Sequence, residues 1–274
     1  MIERKIPSSG EMIPVVGLGS WLQFDVGPSS LERESLKEVL RRMIEMGGRL
    51  IDSSPMYGKS EQVIGDLTNQ IGLQDKFFYA TKVWTTGKAS GIEQMEDSLK
   101  KMRRKTMDLI QVHNLVDYRT HLRTLDKWKS EGKVRYTGIT HYTSTSHETL
   151  ENIIKSEKID FVQFNYSIRE RNAEKSLLPA AHERGVAVII NVPFDKNSLF
   201  KIVHGKKLPE WAKDYDIKSW GQYFLKYIIS HPAVTCVIPG TSDPEHLTDN
   251  MEAGFGKLPD EKARKEMVSY FESL

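Results

Sequence analysis

Residues 49–54 read Arg-Leu-Ile-Asp-Ser-Ser, an apolar run that stops on an acid, Asp52, before Pro-Met-Tyr-Gly at 55–58. Two later runs are built alike. Phe-Phe-Tyr-Ala-Thr-Lys at 77–82 stops on Lys82, and Asp-Leu-Ile-Gln-Val-His at 108–113 stops on His113. The stretches between them carry the apolar spacing of amphipathic helices. Polar groups at strand ends that are separated by whole helices converge only if the strands lie side by side in one parallel sheet.

The same alternation extends in both directions. Strand-like runs fall at 14–19, 49–53, 77–82, 107–113, 134–140, 159–165, 185–191 and 234–239. Helical patterns fall near 31–46, 60–70, 91–104, 120–131, 145–156, 172–183, 218–230 and 243–252. Eight strand–helix units predict an α/β fold, a (β/α)8 TIM barrel, with a doubly wound open sheet as the rival. Ser30, Ser60-Glu61, Gly47-Gly48 and Gly185 mark helix starts and stops. Pro-Ser-Ser-Gly-Glu at 7–11 predicts an N-terminal β-hairpin over 1–13, and 259–273 a C-terminal extra helix. The segment 194–217 is long for a connection, which suits a loop that covers a site or moves. The expected domain is a single unit over 1–274, close to the roughly 250 residues such barrels use.

With 39 basic and 37 acidic residues the net charge is +2, so neither nucleic acid nor an anionic membrane is an expected partner. No run approaches the roughly 18 apolar residues of a membrane span. The one cysteine, Cys236, sits in an apolar run and can form no intramolecular disulfide. The N-terminus has no apolar signal core, so the expected location is cytoplasmic, although a trimmed leader would leave the same sequence. The default assembly is a monomer.

Asp52, Tyr57, Lys82 and His113 make sense as a group. A free tyrosine has a pKa of about 10 and is a poor proton donor at neutral pH. An ammonium about 4 Å away interacts with a phenolate by roughly 4 kcal/mol at effective dielectric 20, enough to lower that pKa by up to about three units. Asp52 would keep Lys82 charged on burial, and a neutral His113 could hydrogen-bond a substrate oxygen. Singly, each residue has an ordinary role: a loop cap, a snorkelling lysine, a core histidine, a turn aromatic. Their order along one sheet edge argues for the joint reading.

At these residues the chain resembles the aldo-keto reductase superfamily over essentially its whole length. The resemblance rests on Gly-Leu-Gly-Ser-Trp at 17–21, Ile-Asp-Ser-Ser-Pro-Met-Tyr-Gly-Lys-Ser-Glu at 51–61, Ala-Thr-Lys at 80–82, Met-Asp-Leu-Ile-Gln-Val-His at 107–113 and Val-Ile-Pro-Gly-Thr-Ser-Asp-Pro-Glu-His-Leu at 237–247. It implies a (β/α)8 barrel that moves a hydride between a nicotinamide cofactor and an aldehyde or ketone, with Asp52, Tyr57, Lys82 and His113 as the catalytic tetrad. Tyr57 would protonate the carbonyl oxygen.

The resemblance also implies a cofactor lying across the barrel mouth. Gly17 and Gly19 are not a Rossmann fingerprint, because Leu22 stands where its third glycine would be. Gly19, Ser20, Trp21 and Asp52 would lie near the nicotinamide ribose, and Thr140, His141 and Gln163 near the carboxamide. Asn191 stands where many members have a stacking tyrosine, and it would contact the cofactor together with Pro193 and Phe194. Gly240 and His246 stand where many have a lysine and an arginine for the 2′-phosphate. Thr241, Ser242, Glu245 and Asn250 complete the expected contacts, and the start of the 243–252 helix suits a phosphate. NADP(H) is favoured on family grounds, with NAD(H) possible. Trp21, Tyr57, Trp84 and His113 would meet the substrate, with Phe24 and Met56 lending a partly apolar pocket. Two other classes remain: a cofactor-binding sensor or regulatory subunit with little turnover, and a metal-dependent barrel enzyme. No metal-binding motif supports the latter.

Overall fold

The computed structural model describes residues 1–28 and 30–274, without the side chain of Ser30, so the helix cap expected there lies outside the described residues. Strands β1 (Glu3–Lys5) and β2 (Met12–Pro14) pair antiparallel as the expected hairpin. Eight parallel strands follow in strict chain order: β3 (Leu18–Gly19), β4 (Leu50–Asp52), β5 (Phe78–Val83), β6 (Met107–His113), β7 (Val134–Thr140), β8 (Phe161–Asn165), β9 (Ala187–Asn191) and β10 (Cys236–Val237). Helices α1 (Ser30–Glu45), α2 (Ser60–Gln70), α3 (Lys88–Lys101), α4 (Tyr118–Ser130), α5 (His147–Ser156) and α6 (Leu177–Glu183) occupy the successive connections. The long 194–217 segment holds α7 (Ser198–Ile202) and a 3-10 turn at Glu210–Tyr215. Then come α8 (Trp220–Ile229), α9 (Pro244–Glu252) and the extra C-terminal helix α10 (Glu261–Glu272).

The first and last barrel strands are shorter than their apolar runs, yet the ring closes between them. Val16 bridges Val237 and Gly19 bridges Gly240. The Gly17 N–H donates to the Val237 carbonyl (2.8 Å), and the Val237 N–H to that of Val15 (2.9 Å). Glycine suits both sides of this strand, since a Cβ on Gly19 would sit 2.9 Å from the Ile238 carbonyl oxygen at the seam and one on Gly17 2.7 Å from the Leu50 carbonyl oxygen of β4.

The side-chain period of two sorts each strand into two faces. Ile51, Tyr79, Ile110, Val162, Val188 and Ile190 face outward into the large core shared with the helices. Leu50, Phe78, Ala80, Leu109, Phe161 and Ile189 face inward and form a second cluster that fills the barrel. Ile6 and Ile13 of the hairpin belong to that inner cluster, so the hairpin plugs the N-terminal end. The C-terminal end is left as the open mouth.

Candidate active site

Continuing the inward face by two residues on each strand leads from apolar core to polar groups. Asp52 follows Leu50, Lys82 follows Ala80, Gln111 and then His113 follow Leu109, Gln163 follows Phe161, and Asn191 follows Ile189. The strand ends thus assemble one polar layer on top of a hydrophobic plug. Asp52, Lys82, Gln111, His113, Thr140 and Gln163 are all buried there.

Lys82 Nζ donates to Asp52 Oδ2 at 2.5 Å and to the Ser53 carbonyl at 2.7 Å. The other carboxylate oxygen of Asp52 accepts from Gln163 Nε2 (3.0 Å) and Gln111 Nε2 (3.3 Å). Burial works to lower the Lys82 pKa, but the Asp52 carboxylate, helped by Tyr57, outweighs it and raises the value. The ammonium therefore stays charged, as a buried ion pair with further hydrogen bonds can arrange.

Lys82 Nζ lies 5.1 Å from the centre of the Tyr57 ring, and the His113 ring meets Tyr57 edge-on at 5.9 Å. The expected lowering of the Tyr57 pKa does not occur: its pKa is raised. Burial of the phenol is the largest cause, Lys82 pulls the other way, and Asp52 opposes Lys82. The ammonium alone would lower the value, but the carboxylate beside it and the loss of solvent outweigh it. His113 is pushed down to about 3 by burial, by Lys82 and by His141. It is neutral at any ordinary working pH, and its Nδ1 lies 3.0 Å from Ser54 Oγ.

Supporting contacts tie the loops together. The Ser20 N–H donates to the Asp52 carbonyl (3.0 Å), and Ser60 Oγ donates to Ser20 Oγ (2.8 Å). Trp84 is 42% exposed, and its ring centre lies 6.5 Å from that of His113. Trp21 and Met56 are also exposed on the rim, whereas Phe24 is fully buried in the outer core and is no part of a pocket.

The residues expected to meet a cofactor fall into two groups. Thr140 Oγ1 and Asn191 Nδ2 both donate to Gln163 Oε1, at 3.2 and 3.3 Å, and Asn191 Nδ2 also reaches the His141 carbonyl at 3.4 Å. Asn191 Oδ1 is buried without a partner, an acceptor short of a donor. His141 Nδ1 accepts from the backbone N–H groups of Tyr142 (3.0 Å) and Thr143 (3.2 Å). Pro193 is buried beside this group. Phe194 is not available as expected: its buried ring packs on Phe200 at 4.9 Å and on Phe224 at 6.5 Å.

At the other end, Gly240 sits against Gly19, and the Thr241 hydroxyl accepts from the Asp243 N–H at 3.0 Å. The Ser242 carbonyl accepts from Ser35 Oγ at 2.7 Å, and His246 is exposed. The start of α9 is not the open anion site expected, because Asp243 Oδ1 already accepts from the N–H groups of Glu245 (2.7 Å) and His246 (3.2 Å). Glu245 is held by Arg42 of α1 at 2.5 Å. Asn250 is buried, with its side-chain oxygen close to Gly221 at the start of α8. Gln111, Ser53, Ser54 and Arg42 were missed from sequence. Period-two counting from Leu109 would have found Gln111; the others join segments distant in the chain.

The geometry agrees with what the chain is similar to. The family model described as the aldo/keto reductase family matches residues 15–266. A methylglyoxal reductase of Escherichia coli is 26% identical over 91% of this chain and 89% of its own length. An NADP-dependent D-sorbitol-6-phosphate dehydrogenase of Malus domestica is 28% identical over 93% and 89%. Among solved structures, an aldo/keto reductase of Klebsiella pneumoniae in complex with NADP and acetate superposes with a TM-score of 0.79 at 22% identity, covering 96% of this chain and 93% of that one. The holo form of an aldo-keto reductase of Bacillus halodurans gives 0.80 at 21% identity, covering 99% and 96%.

Proposed function

The chain belongs to the aldo/keto reductase family, and from that premise we propose that it is an NADP(H)-dependent oxidoreductase reducing aldehyde or ketone carbonyls to alcohols, with Tyr57 as the proton donor. One observation carries the reading: a charged Lys82 locked to Asp52 at 2.5 Å lies beneath the Tyr57 ring, with a neutral His113 at its edge. We take residues 1–274 as one catalytic domain, and a small carbonyl compound as its partner.

The nicotinamide end of the mouth suits the cofactor. A carboxamide offers N–H donors and one acceptor, and the unpartnered Asn191 Oδ1 beside Gln163, Thr140 and His141 is a waiting acceptor. At the adenosine end Arg42 is the cation within reach of the loop, and a 2′-phosphate would compete with Glu245 for it. When bound, the dinucleotide supplies a hydride to the carbonyl carbon.

The chain's own groups manage the oxygen. His113 offers a neutral ring nitrogen as hydrogen-bond partner to the substrate oxygen and so orients it. Tyr57, protonated because its pKa is raised, holds the proton that the oxygen needs. Lys82, whose Nζ lies 5.1 Å from the ring centre, faces the phenolate that remains; opposite charges about 5 Å apart attract by about 3 kcal/mol at effective dielectric 20. Asp52 keeps that ammonium charged and in place. The test is a panel of carbonyl compounds followed by NADPH and NADH absorbance. Turnover with several aldehydes and near-complete loss in Tyr57→Phe is expected; a Tyr57→Phe enzyme with normal turnover would refute the role.

A further inference from the structure

We propose that Ser54 is a positioning residue that sets the tautomer of His113, holding the ring proton on Nε2 so that His113 meets the carbonyl as a hydrogen-bond donor. The proposal rests on the reductase reading and deepens it, for it gives the substrate oxygen two donors, His113 and Tyr57.

Ser54 Oγ lies 3.0 Å from His113 Nδ1, and both residues are buried, Ser54 completely. The Met56 N–H reaches the same hydroxyl oxygen at 3.4 Å. The Ser54 carbonyl accepts from the Tyr57 N–H at 3.0 Å, so Ser-Pro-Met-Tyr at 54–57 is a closed turn with proline second. Proline also keeps the residue before it out of helical backbone. One rigid turn therefore carries both the Tyr57 phenol and the hydroxyl that meets His113.

A neutral imidazole has one N–H and one bare nitrogen, and the partner of one nitrogen decides the state of the other. Burial and Lys82 push the His113 pKa down to about 3, so the ring has a single proton to place. A hydroxyl also has a single hydrogen, and when fully buried that hydrogen needs an acceptor. Among the described residues, His113 Nδ1 is the only acceptor within hydrogen-bond reach of the Ser54 hydroxyl. Ser54 accordingly donates, Nδ1 accepts, and the proton sits on Nε2. In the opposite tautomer Ser54 Oγ would face two N–H donors, from His113 and Met56, with its own hydrogen stranded. A stranded buried donor biases the two tautomers by roughly tenfold to a hundredfold.

Nothing else claims the ring. Its other contacts are aromatic, Tyr57 at 5.9 Å and Trp84 at 6.5 Å, and Nε2 is hydrogen-bonded to no described residue. Nε2 is thus the nitrogen left for the substrate. The placement matters because a carbonyl oxygen has only lone pairs to offer. A bare Nε2 would set lone pair against lone pair. An Nε2–H polarises the carbonyl before the hydride arrives and stabilises the negative charge that develops on the oxygen. His113 keeps its proton throughout: Tyr57 supplies the one that ends on the alcohol, and the Nε2–H bond is never broken.

The experiment records long-range proton–nitrogen NMR spectra of enzyme carrying isotope-labelled histidine, with the His113 signals identified by their loss in His113→Gln. It also measures kcat and KM for the fastest aldehyde of the carbonyl panel. Wild type should show His113 protonated on Nε2 and bare on Nδ1. Ser54→Ala should show a mixture of tautomers and lose roughly ten- to a hundredfold in kcat with KM little changed. Ser54→Thr, which keeps the hydroxyl, should restore both. Ser53→Ala, which removes a buried hydroxyl bonded to Ser60, should leave the His113 spectrum as in wild type. A wild-type His113 protonated on Nδ1 overturns the proposal, and that result needs no variant to fold. A Ser54→Ala enzyme with the wild-type tautomer, or with a shifted tautomer and kcat within about threefold of wild type, overturns it as well. The spectrum is read without substrate. An Nε2–H His113 in a protein that reduces no carbonyl therefore upholds the hold of Ser54 on the ring and refutes the reductase reading alone.

Discussion

Replacing Lys82 by methionine separates what the buried charge does for the fold from what it does for Tyr57. Lys82 is fully buried, and its ammonium is the one cation hydrogen-bonded to the Asp52 carboxylate among the described residues. Lys82→Met leaves that carboxylate with the amides of Gln111 and Gln163 but no counter-charge, which should cost about 3–5 kcal/mol of stability. For a chain of this size each kcal/mol lowers Tm by about 2–4 °C, so a drop on the order of 10 °C is expected by circular dichroism. The same change removes the ammonium 5.1 Å from the Tyr57 ring centre; about 3 kcal/mol of attraction for a phenolate, the value for charges about 5 Å apart at effective dielectric 20, is about two orders of magnitude in kcat. Adding Asp52→Asn removes the stranded charge while keeping a side chain that can pair with both glutamines. The double variant should recover at least about 2 kcal/mol of the stability lost and none of the activity. If it is as unstable as Lys82→Met, the stranded carboxylate is not the cause. If Lys82→Met keeps kcat within about threefold, the ammonium does not act on the phenol.

The His113 pKa of about 3 lies below its ordinary 6.5, so as pH falls past 6.5 the unfolded chain takes a proton that the fold refuses. Stability from this group is complete above pH 6.5 and is lost progressively toward pH 3, by up to about 5 kcal/mol. His113→Gln should flatten urea-measured stability between pH 6.5 and 4, and an unchanged slope would count against a buried neutral imidazole. Arg42→Ala should weaken NADPH binding about tenfold more than NADH binding, while Glu245→Gln, which frees Arg42, should shift the ratio the other way. Equal effects on both dinucleotides in fluorescence titrations would remove Arg42 from the adenosine end. Gly17→Ala forces a Cβ to 2.7 Å from the Leu50 carbonyl of β4 and should destabilise by roughly 1–3 kcal/mol in urea unfolding. A neutral result would mean that the chain entering β3 can move away from β4.

The barrel was legible because its evidence is local. Each apolar run ends within two residues of its strand's end, and the helix between is amphipathic in its own residues. Asp52, Lys82 and His113 were legible for the same reason, since a polar residue closing an apolar run announces a strand exit. Gln111 hid inside a run, and only the alternation of faces exposes it. The direction of the Tyr57 shift needed depth of burial and the second charge at 2.5 Å from the first, neither of which a linear chain displays. Phe194 is an aromatic at a strand exit in the sequence, and only the fold reveals that Phe200 and Phe224 enclose it. Arg42 with Glu245 joins the first barrel helix to α9, and no spacing rule links them.

The seam between Val16 and Val237 gives the order of events in biosynthesis a physical meaning. A growing chain can stack its strand–helix units one after another as they emerge, but the ring has no last stave until β10 has left the ribosome. Before that, β3 and β9 are open edges with unpaired backbone groups, able to recruit strands from other chains. Asp52, Lys82 and His113 all lie on units made early, so a polar cluster could form on an open sheet, but the turn at Gly19 that bears Ser20 and Trp21, paired to β4 on one side, gains its second strand neighbour only when Gly240 arrives. Turnover on regaining structure should therefore lag the first gain of helix signal and coincide with ring closure, which makes the enzyme's own activity a clock for the slowest contact in its folding.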